Sequence, residues 1–394
     1  MTWLPALLFA LVAPASGPVA PPDSGLGAHT HVPGRAHAVE MYQAALRLEE
    51  RGRLAAAMRF LQHAAETDST LPDVHYRIGL LFATSGDFGT AREAFEDELR
   101  LQPGHVAASR ELGLTFARMG RTRRAIEVLE NLTSRAPADD QAWQALGFAY
   151  AVDGRKADAE RVLRRAIEVP PDRGSEHRDL GVLLGSLGRL DEARAEYRKA
   201  MEIDPRDAAA SLNLGNLERR AGKLEAALAA YAEAEARDST YALALQGQAE
   251  VARELKRGPE AMEAYRRWLV QRPDDHRARL AAANLAGDLG RKNDAVAIAR
   301  EGVTRYPRSG DARLVHGTIL EKEGFQQQAL IELRVGEGLF EDPIGRGRSR
   351  EMIRAAMYRA PEAVKERSDA DSVRALWIVD SLRSTRAPAS MSRP

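Results

Sequence analysis

The chain has 394 residues, with 57 Lys or Arg against 57 Asp or Glu and a formal net charge of zero. That balance argues against recognition of nucleic acid or of an anionic membrane through bulk charge. No cysteine is present, which excludes disulfides, thiolate metal sites and a cysteine nucleophile.

The first 15 residues carry an apolar run of 11, Trp3 to Ala13. It is shorter than the ~20 residues a membrane helix needs, but it has the length of a secretory signal core. Ala13-Pro14-Ala15 offers an Ala-x-Ala cleavage site, while no Lys or Arg precedes the run. Two readings therefore stay open: an export signal over 1–15, making the protein periplasmic or secreted, or an ordinary apolar start to a cytoplasmic one. No cysteine follows, so a lipoprotein anchor is out. Residues 16–37 are rich in Pro, Gly, Ala and His without periodicity and read as a disordered linker. Its His29, His31 and His37 lack the scaffold a metal site needs.

From residue 38 to 343 one 34-residue unit returns nine times without insertion or deletion. The copies occupy 38–71, 72–105, 106–139, 140–173, 174–207, 208–241, 242–275, 276–309 and 310–343. Each reads as helix A, a turn and helix B. Position 20 is always alanine: Ala57, Ala91, Ala125, Ala159, Ala193, Ala227, Ala261, Ala295 and Ala329. Position 8 is always Ala or Gly, as in Gly113 and Gly181. Glycine inside a helix costs about 1 kcal/mol against alanine, so another chain segment is expected to pass close by. The expected arrangement puts positions 8 and 20 face to face. Position 24 is mostly large, from Phe95 and Leu129 to Tyr231 and Tyr265. Position 15 is Gly except for Lys256, and position 32 is often Pro, the punctuation of a helix end and a new entry. A fixed period of this size signals stacked repeats.

Trp143, Leu146, Gly147, Tyr150, Gly154, Ala159, Ala166 and Pro171 carry a family pattern. Through them the chain resembles the tetratricopeptide repeat family. The resemblance implies an all-α fold, a right-handed superhelical solenoid of helix-turn-helix repeats. It also implies that helices A line a concave inner wall, with positions 2, 5, 9, 12 and 13 facing the groove. In the first five repeats positions 5 and 9 are Tyr42 and Leu46, Tyr76 and Leu80, Arg110 and Leu114, Gln144 and Phe148, Arg178 and Val182. These ten form the expected contact set for a protein or extended peptide. Position 9 then turns polar: Asn216, Glu250, Asn284 and Thr318. The position-9 residues also admit a second reading, as packing between adjacent helices A. The seventh repeat departs most, with Gln248, Lys256, Gly258-Pro259 and Trp268 at unusual places, and a local distortion is expected there.

After the repeats, Gly345 to Arg350 reads as a flexible basic joint. Two helices are expected beyond it, at 350–359 and 369–383. The first carries Met352, Ile353, Ala356 and Met357, and the second has Val373, Leu376, Trp377 and Leu382 as its apolar stripe. Residues 344–383 thus form a linker and a C-terminal helical cap of the kind a solenoid end requires, or a docking element for another protein. Residues 384–394 read as a disordered tail.

No HExxH, GxSxG or GxxxxGK[ST] occurs, and the histidines do not pair at helical spacing. The reading is a non-enzymatic interaction scaffold needing no cofactor or metal, with an unidentified protein or peptide partner, no nucleic acid and no stable membrane span. The alternative is an accessory subunit of an enzyme or cell-envelope assembly complex that binds through the C-terminal helices.

Overall fold

The structure is a computed structural model, and it describes residues 34–170, 173–359 and 368–384. The expected export signal, residues 16–33 of the expected linker, Pro171 and residues 385–394 lie outside the described residues, while Arg35 to His37, expected as linker, are helical and open the first helix. Every element among the described residues is a helix. The fold is an all-α helical-repeat solenoid whose chain divides into two compact units, up to Pro205 and from Arg206.

The N-terminal unit holds five helix pairs: α1 Arg35–Glu50 with α2 Leu54–Thr67, α3 Val74–Ser85 with α4 Phe88–Leu101, α5 Val106–Arg118 with α6 Thr122–Arg135, α7 Asp140–Val152 with α8 Lys156–Glu168, and α9 Gly174–Ser186 with α10 Leu190–Ile203. The C-terminal unit holds four more: α11 Ala208–Arg220 with α12 Leu224–Arg237, α13 Ala242–Glu254 with α14 Gly258–Gln271, α15 His276–Asp288 with α16 Lys292–Arg305, and α17 Gly310–Lys322 with α18 Gln326–Leu339. Two helices follow, α19 Pro343–Arg359 and α20 Ser368–Ser384.

Local chemistry explains the boundaries. The residue before many A helices is a capping one. Asp139, Asp207, Asp275 and Ser309 each accept a backbone N–H of the first turn, which satisfies donors the helix cannot. The turn residue at position 15 is left-handed throughout, as at Gly188 with φ 78°. A Cβ at Gly188 would meet nothing within 4 Å, so glycine is required there by backbone conformation and not by space. Lys256 takes the same conformation, with φ 60°. The expected distortion of the seventh repeat does not appear in its turn or at the start of its second helix. Helix α14 starts at Gly258 with Pro in its first turn and runs 14 residues like its counterparts, because proline fits the start of a helix. Trp268 is buried and stacks on Tyr265 at 6.0 Å between ring centroids.

All nine position-20 alanines are fully buried. Their expected partner needs correction. A Cβ on Gly147 would lie 2.6 Å from Leu163, and one on Gly181 2.7 Å from Tyr197. The glycine of helix A therefore makes room first for the large position-24 side chain of helix B, and at Gly317 also for the Ala329 carbonyl, 3.2 Å from such a Cβ. A second device links successive repeats. In some copies the position-4 side chain donates to the carbonyl of position 32 in the repeat before: Trp143 to Pro137 at 3.0 Å and Arg279 to Pro273 at 2.9 Å. Arg279 is only 1% exposed, and a second carbonyl, of Ile298 at 3.2 Å, also accepts from its guanidinium.

Two readings of the C-terminal region change. The expected basic joint at 345–350 is helical, the first turns of α19. The Asp342 side chain accepts the Gly345 N–H at 2.6 Å, and Gly345 is buried where a Cβ would collide with the Phe340 ring. Gly345 thus serves close approach and not flexibility. Met352, Ile353, Ala356 and Met357 pack together on Leu330 and Leu333, as expected. Helix α20, in contrast, is turned. It docks through Ala375, Ile378, Val379 and Leu382, and leaves Val373, Leu376 and Trp377 exposed, Trp377 at 71%. The face chosen is the one whose small Ala375 and branched Val379 fit against Val335 of α18. No described helix is long and apolar enough to cross a membrane.

Candidate interaction surface

The ten residues singled out by the repeat pattern all lie on the A helices of the N-terminal unit, two each on α1, α3, α5, α7 and α9. The structure separates them into two sets. Tyr42, Tyr76 and Leu114 are buried and act as packing. Tyr42 belongs to the core formed by α1, α2 and α3, and Tyr76 lies 4.9 Å from the His105 ring. Burial pushes both phenols up, that of Tyr76 to about 12. Leu46, Leu80, Arg110, Gln144, Phe148, Arg178 and Val182 are half-buried. Leu46 still packs against the core of the first repeats.

Polar contacts span three junctions between neighbouring A helices of this unit, and the sequence reading missed them. Arg77 on α3 pairs with Glu49 on α1 at 3.1 Å. Arg110 on α5 pairs with Asp139, the cap of α7, at 3.4 Å. Gln144 on α7 donates to Asp179 on α9, and Arg178 lies 3.9 Å from the same carboxylate. The signal was available as opposite charges separated by about one repeat period. Burial pushes the Glu49 carboxyl up despite Arg77 beside it, and does the same to Glu111 against Arg110 and Arg118. Such a wall offers apolar surface interrupted by fixed hydrogen-bonding groups. It can grip a chain by shape and by paired polar contacts, and it supplies no nucleophile with an adjacent base.

One cluster brings three potential metal ligands together: Asp73, Glu98 and His105, with one atom of each within 4.8 Å of the others. The hydrogen bonds assign it another role. The Nδ1 of His105 accepts the Ala108 N–H at 2.9 Å, so a neutral ring carries its proton on Nε2. That nitrogen lies 2.9 Å from Asp73 and donates to it. Glu98, fully buried, accepts the backbone N–H groups of Asp73 at 3.0 Å and Tyr76 at 3.1 Å. The trio caps α3 and α5 and fixes Asp73, whose φ is 65°. Metal binding at Nε2 would leave the imidazole with no proton at all, which does not fit this donor set.

In the C-terminal unit the same helix faces carry ion pairs. Arg219 on α11 reaches Glu250 and Glu254 on α13, each at 2.5 Å. Lys322 on α17 reaches Asp288 on α15 at 2.8 Å. Asn216 accepts the Tyr231 hydroxyl at 2.7 Å.

Comparison with known proteins agrees with the architecture. A sequence profile described as TPR repeat matches residues 181–218, and one described as Tetratricopeptide repeat matches 76–118, 110–176 and 212–276. Together they span half of the chain. No curated protein matches the chain. Among solved structures, the chain is similar to MamA 41-end from Desulfovibrio magneticus RS-1, at 27% identity over 43% of this chain and 96% of that one, with a TM-score of 0.38. It is also similar to a thermophilic TPR protein of Thermus thermophilus, at 22% identity over 46% and 98% and a TM-score of 0.42. A third likeness is to the APC/C hetero-tetramer Cut9-Hcn1, at 13% identity over 76% and 59% with a TM-score of 0.42.

Proposed function

The chain belongs to the tetratricopeptide repeat family, and we propose from that premise that it is a non-enzymatic scaffold. It holds a protein or extended peptide along the A helices of its N-terminal unit. One observation carries this reading: Leu46, Leu80, Phe148 and Val182 recur at one repeat position and are left half-buried instead of sealed, beside the half-buried Arg110, Gln144 and Arg178. Apolar groups left partly open among fixed polar ones are what a partner's side chains can use. The contact set is therefore these seven, with buried Tyr42, Tyr76 and Leu114 shaping the wall from behind. Capture from the native organism, with partners identified by mass spectrometry, tests it when wild type is compared with Leu80→Ala combined with Phe148→Ala. Lost capture with an unchanged melting temperature supports the reading. Unchanged capture with a large loss of stability assigns these side chains to packing.

A second reading, an accessory subunit that binds through its C-terminal helices, is favoured by the exposed Val373, Leu376 and Trp377 of α20. Changing Leu376 and Trp377 to Ser discriminates the two, since it removes capture only under the second. Export through residues 1–15 belongs to the proposal as well, and N-terminal sequencing of the mature protein decides it.

A further inference from the structure

Glu176 sits in the first turn of α9 and is only 1% exposed. Neither of its carboxylate oxygens has a hydrogen-bond partner among the described residues. Its nearest charged neighbours make this worse and better in turn. Asp140, at the start of α7, is itself buried and repels it, while Arg173, just before α9, attracts it but lies 2.9 Å from Asp140 and serves that carboxylate. The N–H of Glu176 itself, the largest influence after burial, and the Ser175 hydroxyl favour the charged form, though neither makes a hydrogen bond of normal geometry to it. No charged group of α8 or α10 is among those acting on it most strongly. An ionised carboxylate without partners is strongly disfavoured in such a place. A carboxylic acid costs far less.

We propose that Glu176 is a proton-operated latch between the fourth and fifth repeats. With its proton on, the α7–α9 junction is closed and Glu176 adds no charge to it. When the proton leaves, the carboxylate has no partner in the closed junction and must turn toward water, which loosens the first turn of α9. The occupant of the site is the proton alone, because the carboxylates here do not converge to hold a metal ion; the one cluster that does converge among the described residues is elsewhere. Burial, the largest influence, pushes this carboxyl from its ordinary 4.5 to about 7. The folded chain therefore keeps a proton that the unfolded chain has released. The latch's contribution is complete below about 4.5, declines as pH rises, and is gone once pH has passed about 7. Release thus falls near neutrality, in a region flanked by Gln144 and Arg178. The latch stands whether or not those residues contact a partner.

Two measurements test it. Side-chain carboxyl NMR, assigned by comparison with Glu176→Gln, should give Glu176 a midpoint close to 7, and a midpoint under about 5.5 overturns the proposal. Hydrogen exchange of α7 and α9, corrected for intrinsic rates, should show protection falling about tenfold between pH 6 and pH 8 in the wild type. Glu176→Gln should remove that fall, and an equal fall in both proteins overturns the latch. Asp140→Asn, which keeps Glu176 and removes its repelling neighbour, should lower the midpoint. It keeps the test alive if the glutamine variant does not fold, and a midpoint that stays in place overturns the assigned geometry.

Discussion

The two units solve the same repeat with opposite chemistry on their A helices. At position 9 the N-terminal unit has Leu46, Leu80, Leu114, Phe148 and Val182, while the C-terminal unit has Asn216, Glu250, Asn284 and Thr318. The first sets apolar position-9 side chains beside ion pairs such as Arg77 with Glu49, and leaves carboxyls such as Glu49, Glu111 and Glu176 pushed up by burial. The second spans the same distance with ion pairs from Arg219 and Lys322. The difference teaches that the repeat scaffold is indifferent to how this face is filled, provided positions 8, 20 and 24 are kept. That face is thus where specificity for a partner can vary.

The comparison can be broken most sharply at position 9. Leu114→Ala should cost about 2–5 kcal/mol in denaturant unfolding, because a buried leucine leaves a cavity. A loss below ~1 kcal/mol would mean the apolar wall does not hold its unit together. At position 15 the contrast is one of conformation: Lys256→Gly should stabilise by about 1–2 kcal/mol, the cost of a side chain in the left-handed region, and Gly188→Ala should destabilise by a similar amount. Thermal melts of the pair would show opposite shifts. Asn216→Ala, which strips the acceptor from the Tyr231 hydroxyl, should cost about 1 kcal/mol. Glu250→Gln with Glu254→Gln should cost only about 0.2–1 kcal/mol, because these half-exposed pairs are screened; the loss should shrink further in high salt, whereas that of Leu114→Ala should not.

The smallest effect expected is in pH. Burial pushes the Glu332 carboxyl of the C-terminal unit up, but neighbouring His316 and Arg313 more than offset it and hold it below its ordinary 4.5. Its contribution is present above that value and lost as pH falls through the lowered one, opposite in sign to Glu176. Hydrogen exchange around α17 and α18 should therefore gain protection from acid to neutral pH while α7 and α9 lose it.

The fold was legible because its signal is redundant: nine copies of Ala at position 20, all buried, cannot be mistaken. What opposes the small residue at position 8 was not legible, since the alanine at position 20 and the large residue at position 24 share one face of helix B and only coordinates choose between them. The joint at 345–350 misled because glycine marks flexibility and close approach alike; Phe340 makes it the latter. Helix α20 misled because it carries apolar groups on two sides: Val373, Leu376 and Trp377 suggested the buried one, while Ala375, Ile378, Val379 and Leu382 are the set that packs on α18. Of the contact set, the placement on A helices was readable, but the sealing of Tyr42, Tyr76 and Leu114 was not. Glu176 carries no mark in the sequence, because nothing in a single sequence tells which carboxylate its neighbours will enclose.

The bonds from Trp143 to the Pro137 carbonyl and from Arg279 to the Pro273 carbonyl each span six residues across the joint between two copies. They fix the length of that joint and not the length of the repeat. A residue added in the turn inside a copy leaves them untouched, whereas one added between donor and acceptor strands the donor, which for Arg279 is a buried guanidinium. Length variation over time is therefore expected to collect in the turns inside copies and to avoid these joints.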